Sequence, residues 1–223
     1  MHIGLIGGIG PAATEFYYRG LIARHERAGT QLDLTIVHAD VYELTSNAAN
    51  GEPRKQAESF AKLIARLAAA GAGAAAVTSM TGHFCIRELE PMSPLPLIKA
   101  IPEVDAAIKR QNLKTVGILG TRTVMGTKLY GGISSAAVVL PQGDAFDQVH
   151  TNYVEMALAG HVTQAQRDVF FAIGRRLCQE QGAEAVLLGG TDLFLAFADR
   201  DCGFPVIDCA DIHIDALYER SRT

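Results

Sequence analysis

Four short turns carry the side chains best suited to chemistry on a small anion. In Ser79-Met80-Thr81-Gly82-His83 a hydroxyl, a second hydroxyl and an imidazole follow an apolar run. A serine oxygen needs a neighbouring base before it becomes a nucleophile or proton acceptor near neutral pH. Histidine titrates in the range where such a base is useful, although His83 equally suits a helix cap or core packing. Gly189-Gly190-Thr191-Asp192 ends a second apolar run. Asp192 can act as a base if desolvated, and it also suits a helix N-cap. Ser79, His83 and Asp192 are therefore the candidate catalytic residues. Gly7-Gly8-Ile9-Gly10-Pro11 and Gly120-Thr121-Arg122-Thr123 supply backbone amides and short hydroxyls at helix starts, where a carboxylate is favoured by the helix terminus. The substrate-binding set is Gly8, Gly10, Thr81, Thr121, Thr123, Gly190 and Thr191. Arg122 can pair with an anion or lie on the surface. The first of these turns is a weak dinucleotide fingerprint, because Ala13 stands where the third glycine is needed. A carboxylate is the better reading than a nucleotide.

The elements that position these turns repeat. Ile3-Gly4-Leu5-Ile6-Gly7 returns as Val116-Gly117-Ile118-Leu119-Gly120, an offset of 113 positions. Gly71-Ala72, leading to Ser79, returns as Gly182-Ala183, leading to Gly190, an offset of 111. Strands at His2–Ile6, 32–37, 73–78, 115–119, 138–140, 185–188 and 206–208 alternate with helical patterns. Among the latter, Phe60, Leu63, Ile64 and Leu67 recur at helical spacing. Residues 40–53 read as a polar loop, and 124–130 as a helix. The fold class is α/β: two half-domains, 1–100 and 101–223, each a parallel sheet flanked by helices, related by a pseudo-twofold. The last helix is expected to pack back on the first half. In such sheets ligands bind beyond the carboxyl ends of the strands, so Ser79 and Gly190 are expected to face each other across a pocket between the halves.

Composition narrows the partners. The net charge of −4 offers no basic footprint for nucleic acid. The longest weakly polar stretch, 65–80, is interrupted by Arg66 and falls short of a membrane span. No charged region precedes the first strand, so a cytoplasmic location is expected. Cys85, Cys178, Cys202 and Cys209 form no C-x-x-C pair, so reduced thiols and no metal site are expected. Each thiol suits a small buried hydrophobe.

Gly4-Leu5-Ile6-Gly7-Gly8-Ile9-Gly10-Pro11-Ala12-Ala13-Thr14 resembles the opening of the cofactor-independent aspartate/glutamate racemase family. Val116–Met125 resembles the family's counterpart in the second half. Ser79-Met80-Thr81-Gly82-His83 stands where the family has Cys-Asn-Thr-x-His, and Leu188-Gly189-Gly190-Thr191-Asp192-Leu193 where it has Leu-Gly-Cys-Thr-Glu-Leu. Pro205-Val206-Ile207-Asp208 is similar to a C-terminal strand of the same group. The resemblance implies a small carboxylate substrate, an acidic amino acid or close analogue. It also implies a homodimer and proton transfer at Cα by two thiols on opposite faces, with no pyridoxal or other cofactor.

Both thiol positions depart from that pattern. Serine stands at 79, and glycine at 190 can neither take nor give a proton. Met80 replaces a polar neighbour of the first base. The readings are therefore an amino-acid racemase (an isomerase) with non-standard bases, a family-derived decarboxylase, lyase or isomerase, or a non-catalytic carboxylate binder. A decarboxylase branch of the family has glycine at one of the two positions and keeps one cysteine. From the sequence alone, Ser79→Cys with Gly190→Cys is expected to restore inversion.

Overall fold

The computed structural model describes residues 1–198 and 200–222. The chain divides into two compact units, Met1–Ala100 joined by the chain from His213 onward, and Ile101–Ile212.

In the first unit β1 (Ile3–Gly7) is buried along its whole length. An unbroken apolar run is what a parallel strand covered on both faces requires. Pro11 opens α1 (Pro11–Ala28), and Gly29 closes it in the left-handed conformation. β2 (Leu34–His38) pairs parallel with β1. The segment read as a polar loop instead forms α2 (Val41–Ala49). The Asp40 carboxylate caps it, accepting from the amides of Tyr42 and Glu43 at 2.7 and 3.0 Å. Leu44 and Asn47 turn inward, and Asn47 Nδ2 donates to Gln56 Oε1 at 3.0 Å. A cap and one buried amide pair thus outweigh the polar composition. α3 (Pro53–Ala69) lays Phe60, Leu63, Ile64 and Leu67 into the core. β3 (Ala74–Val77) pairs with the other side of β1 and ends with Val77 opposite Ile6. Its outer edge makes one parallel bridge, Ala75 to Leu97. Between them lie a 3-10 turn, Thr81–Cys85, then α4 (Ile86–Leu89) and a second 3-10 turn, Glu90–Met92.

α5 (Ala100–Arg110) leads into the second unit, where β4 (Thr115–Leu119) takes the central place of β1. α6 (Arg122–Gly126) is shorter than the sequence suggested. Lys128, Leu129 and Tyr130 have φ of 52°, 54° and 58°, and Gly131 follows at 67°. This left-handed turn costs about 1–2 kcal/mol per non-glycine residue. Burial of Leu129 and its amide bond to Val124 O at 2.9 Å oppose that cost. β5 (Ala137–Val139), α7 (Asp144–Ala159) and α8 (Gln164–Gln181) follow. A reciprocal Thr163–Gln166 capping box opens α8. β6 (Ala185–Leu188) pairs with β4 and ends with Leu188 opposite Leu119. A 3-10 turn, Thr191–Leu193, α9 (Phe194–Phe197), β7 (Val206–Asp208) and α10 (Cys209–Ser221) complete the chain.

The sheet orders are β2-β1-β3 and β5-β4-β6-β7, every pairing parallel. The Leu97 bridge occupies the place that β7 fills in the second sheet. The registers keep the offsets of the sequence repeat. Ser79 and Gly190 each lie two residues past the last paired residue of an equivalent strand.

Candidate active site

In the first unit the end of β3 is pinned before the chemistry-bearing turn begins. Thr78 donates through both its amide and its hydroxyl to Ile6 O, at 3.1 and 2.9 Å. Ser79, next in the chain, is 5% exposed. Its Oγ accepts from the Gly82 amide at 3.2 Å, as a cap of the 3-10 turn. Thr81 is half-buried at the turn's start, and Met80 lies in the core. His83 Nδ1 donates to Ser79 O at 2.8 Å, while Nε2 accepts the Ala100 amide at 3.2 Å. Both ring nitrogens are thus engaged by backbone, and this pattern needs the neutral ring. Burial pulls its pKa down to about 4, against the small opposing effect of the Ser79 carbonyl. Its neighbour His213, 5.9 Å away ring to ring, is arranged alike. Its Nε2 donates to Ile98 O at 2.8 Å and its Nδ1 accepts the Tyr17 hydroxyl at 2.9 Å.

The turn after β1 lies beside the turn after β3 because the two strands are neighbours. Gly8 (φ 85°) packs under His38; a Cβ there would stand 2.5 Å from His38 Cε1 and 2.7 Å from Ala39 O. Its amide donates to Thr14 Oγ1 at 2.8 Å, and Gly10 (φ 91°) is the N-cap of α1. A groove of about 320 Å³ opens along Gly8, Thr14, Tyr18, Ile36 and His38.

In the second unit Thr121 caps α6, its Oγ1 accepting the Val124 amide at 3.3 Å. Thr123 is half-buried, and its carbonyl accepts the Thr127 hydroxyl at 2.7 Å. Arg122 pairs with Asp147 at 2.5 Å on the surface. A Cβ on Gly120 would stand 3.2 Å from Gly189 C and 3.3 Å from Gly190 N, so the turns after β4 and β6 meet through their backbones. Gly190 itself has φ −110° and ψ 128°, extended backbone open to any residue. What excludes a side chain there is Tyr153. A Cβ on residue 190 would lie 2.5 Å from Tyr153 Cζ, 2.9 Å from its Oη and closer still to Cε2. The phenol fills the space a side chain at 190 would take. Its hydroxyl donates to Asp192 Oδ2 at 3.1 Å, with Asp192 2% exposed and Thr191 equally buried. Burial first, and the Asp192 charge second, hold the phenol pKa well above its usual value.

Sequence reasoning missed Tyr153. On α7 it shares one face with Ala145, Val149 and Met156 and reads as core. The usable signal was a glycine at a turn that does not need positive φ, which announces a close neighbour without naming it.

Burial works against ionisation of three of the thiols. Cys85 is buried, its Sγ donating to Gly82 O at 3.3 Å, and burial pushes its pKa up to about 12. Burial also raises Cys209 and Cys178. Buried Cys202 donates to Phe204 O at 3.2 Å. Among the described residues no group of His, Cys, Asp and Glu is placed to hold a metal ion, and no helix is long and apolar enough to cross a membrane.

Comparison with known proteins agrees with this architecture. A crystal structure of a "putative Asp/Glu Racemase" from Yersinia pestis is 26% identical, with full coverage of both chains and a TM-score of 0.85. An aspartate racemase homologue from Pyrococcus horikoshii is 24% identical over 100% of this chain and 99% of its own, at a TM-score of 0.79. Glutamate racemase from Francisella tularensis, solved with D-glutamate, shares the fold at 16% identity and a TM-score of 0.67, over 98% of this chain and 80% of its own. The family model of Asp/Glu/Hydantoin racemases matches residues 6–217. Two parallel sheets with matched strand-end turns, and a family match over nearly the whole chain, make this protein a member of the Asp/Glu/hydantoin racemase family.

Proposed function

We propose that the protein binds a small carboxylate, an acidic amino acid or close dicarboxylic analogue, and moves a proton at its Cα without pyridoxal. The observation that carries this reading is the equivalence of Ser79 and Gly190, each two residues past the end of a matching strand in a racemase-family fold. Short hydroxyls and helix starts favour an anion at the turns of Gly8, Gly10 and Thr81 in the first unit, and at those of Thr121, Thr123, Gly190 and Thr191 in the second. Ser79 and Asp192 are the candidate proton-handling groups. His83 holds the Ser79 turn through its two backbone bonds, a positioning role.

The loss of both thiols favours a second reading, a decarboxylase, lyase or isomerase of the same family, or a carboxylate binder. It also predicts that two-base inversion is slow. Thermal-shift titration with L- and D-aspartate, L- and D-glutamate and dicarboxylates should give saturable stabilisation, of about 2.7 kcal/mol at a hundredfold excess over Kd. Stabilisation by nucleotides alone overturns the carboxylate reading. Loss of the α-proton NMR signal in D2O separates an isomerase from a binder. The family resemblance further supports a cytoplasmic homodimer, for which light scattering should return about twice the 23.8 kDa chain mass.

A further inference from the structure

We propose that Tyr153 and Asp192 form the proton-transfer pair of the second unit, the phenol acting from the space left by the missing side chain at 190. The inference rests on the carboxylate reading above and adds the residue that would touch the substrate.

Three observations converge. Gly190 has a backbone any residue adopts, so its lack of a side chain is explained by its neighbour and not by its own conformation. The atoms filling the vacated space are the hydroxyl end of a tyrosine: Cε2, Cζ and Oη. A purely steric plug would need no polar tip there. That hydroxyl donates to a buried carboxylate, so its proton already has a destination. Thr191 and the Asp192 amide also touch the phenol oxygen, and both lower its pKa. They are donors that steady any negative charge developing on it.

The step balances without a free phenolate. The Cα–H bond of the substrate breaks, and its electron pair passes into the substrate carboxylate to give an enediolate. The phenol oxygen takes the α-proton while its own proton moves across 3.1 Å to Asp192 Oδ2. Tyr153 ends neutral and Asp192 ends protonated; the reverse step restores both. A pair on one face returns the proton to the face it came from, so exchange with solvent outruns inversion.

The test follows the α-proton of L- and D-aspartate and glutamate by NMR in D2O, with binding measured in parallel by thermal shift. Tyr153→Phe keeps the ring in place and removes the relay, so exchange should fall at least about 100-fold, the low end for acid–base catalysis, with binding retained. Asp192→Asn should fall comparably. Fluorotyrosine incorporated at 153, which makes the phenol a stronger proton donor to Asp192 and preserves its shape, should change the exchange rate with binding unchanged; a structural hydroxyl would leave the rate where it was. This arm also stands if Tyr153→Phe fails to fold. Exchange by Tyr153→Phe at the parental rate, or an exchange rate unmoved by fluorotyrosine, overturns the pair and leaves the carboxylate reading intact. Binding without exchange in the parent protein also overturns the pair alone. Absence of both binding and exchange overturns both.

Discussion

A β-carbon at residue 190 would stand 2.5 Å from Tyr153 Cζ, so any substitution there must displace a buried aromatic ring. Gly190→Ala should cost about 1–3 kcal/mol, the range for overpacking a filled core, read as a lower urea midpoint. Tyr153→Ala in the same chain should relieve most of that penalty, giving a large coupling in a double-mutant cycle. The expectation from sequence, that thiols at 79 and 190 suffice to restore inversion, is revised on the same ground. Ser79→Cys with Gly190→Cys should be less stable than the parent and gain no inversion. Adding Tyr153→Ala makes room for the second thiol, and a chiral assay of aspartate and glutamate should then show inversion appear. If the two-thiol protein inverts with Tyr153 present, the ring is more mobile than its packing indicates.

The turn after β3 depends on a buried pair of histidines, and burial there has a pH signature. His83 and His213 are held neutral, their pKa values drawn down by burial to about 4 and about 3 from an ordinary 6.5. Above pH 6.5 neither state binds the proton and the full stability is present. Below it the unfolded chain takes up a proton that the folded ring resists, so stability falls as pH falls. The loss is about 1.4 kcal/mol per pH unit for each histidine. It stops near pH 4 for His83 and near pH 3 for His213. Urea midpoints between pH 7 and 4 should show this slope, and His213→Gln should remove about one histidine's share of it. Elements of this kind divide what was legible in the sequence from what was not. The strands 185–188 and 206–208, and the buried face of α3, could be read because apolar runs and helical spacing are local signals. α2 was hidden by its polar surface, since its stabilising contacts are the Asp40 cap and the distant Gln56. The early end of α6 was hidden because a left-handed turn of Lys128, Leu129 and Tyr130 goes against local preference. The equivalent places of Ser79 and Gly190 were legible from the repeat, whereas Tyr153 comes from a helix that sequence alone could not bring to Gly190.

On the scale of the whole molecule, the first unit joins residues 1–100 to residues 213–222, and the boundary at His213 falls within α10. The unit therefore cannot be complete until the C-terminal residues are made. Ile214 and Leu217 are fully buried there, each contributing about 1.5–3 kcal/mol. Arg24 Nε meets Asp215 Oδ1 at 2.6 Å, His25 Nε2 meets Ser221 Oγ at 2.8 Å, and the N-terminal amine donates to Ser221 O. Removing residues 213–223 also removes the buried bond from the Tyr17 hydroxyl to His213 Nδ1, worth about 0.5–1.5 kcal/mol. The sum is comparable to the 5–15 kcal/mol by which domains are usually stable. A chain ending at Ile212 should therefore lose hydrogen-exchange protection throughout β1 and β3. Amides of β4 and β6 lie in a unit whose residues all precede the cut, and they should retain theirs. Retained protection in β1 would show that the first unit is held by its own helices α1 and α3. Loss in β4 together with β1 would show that the two units fold as one cooperative block.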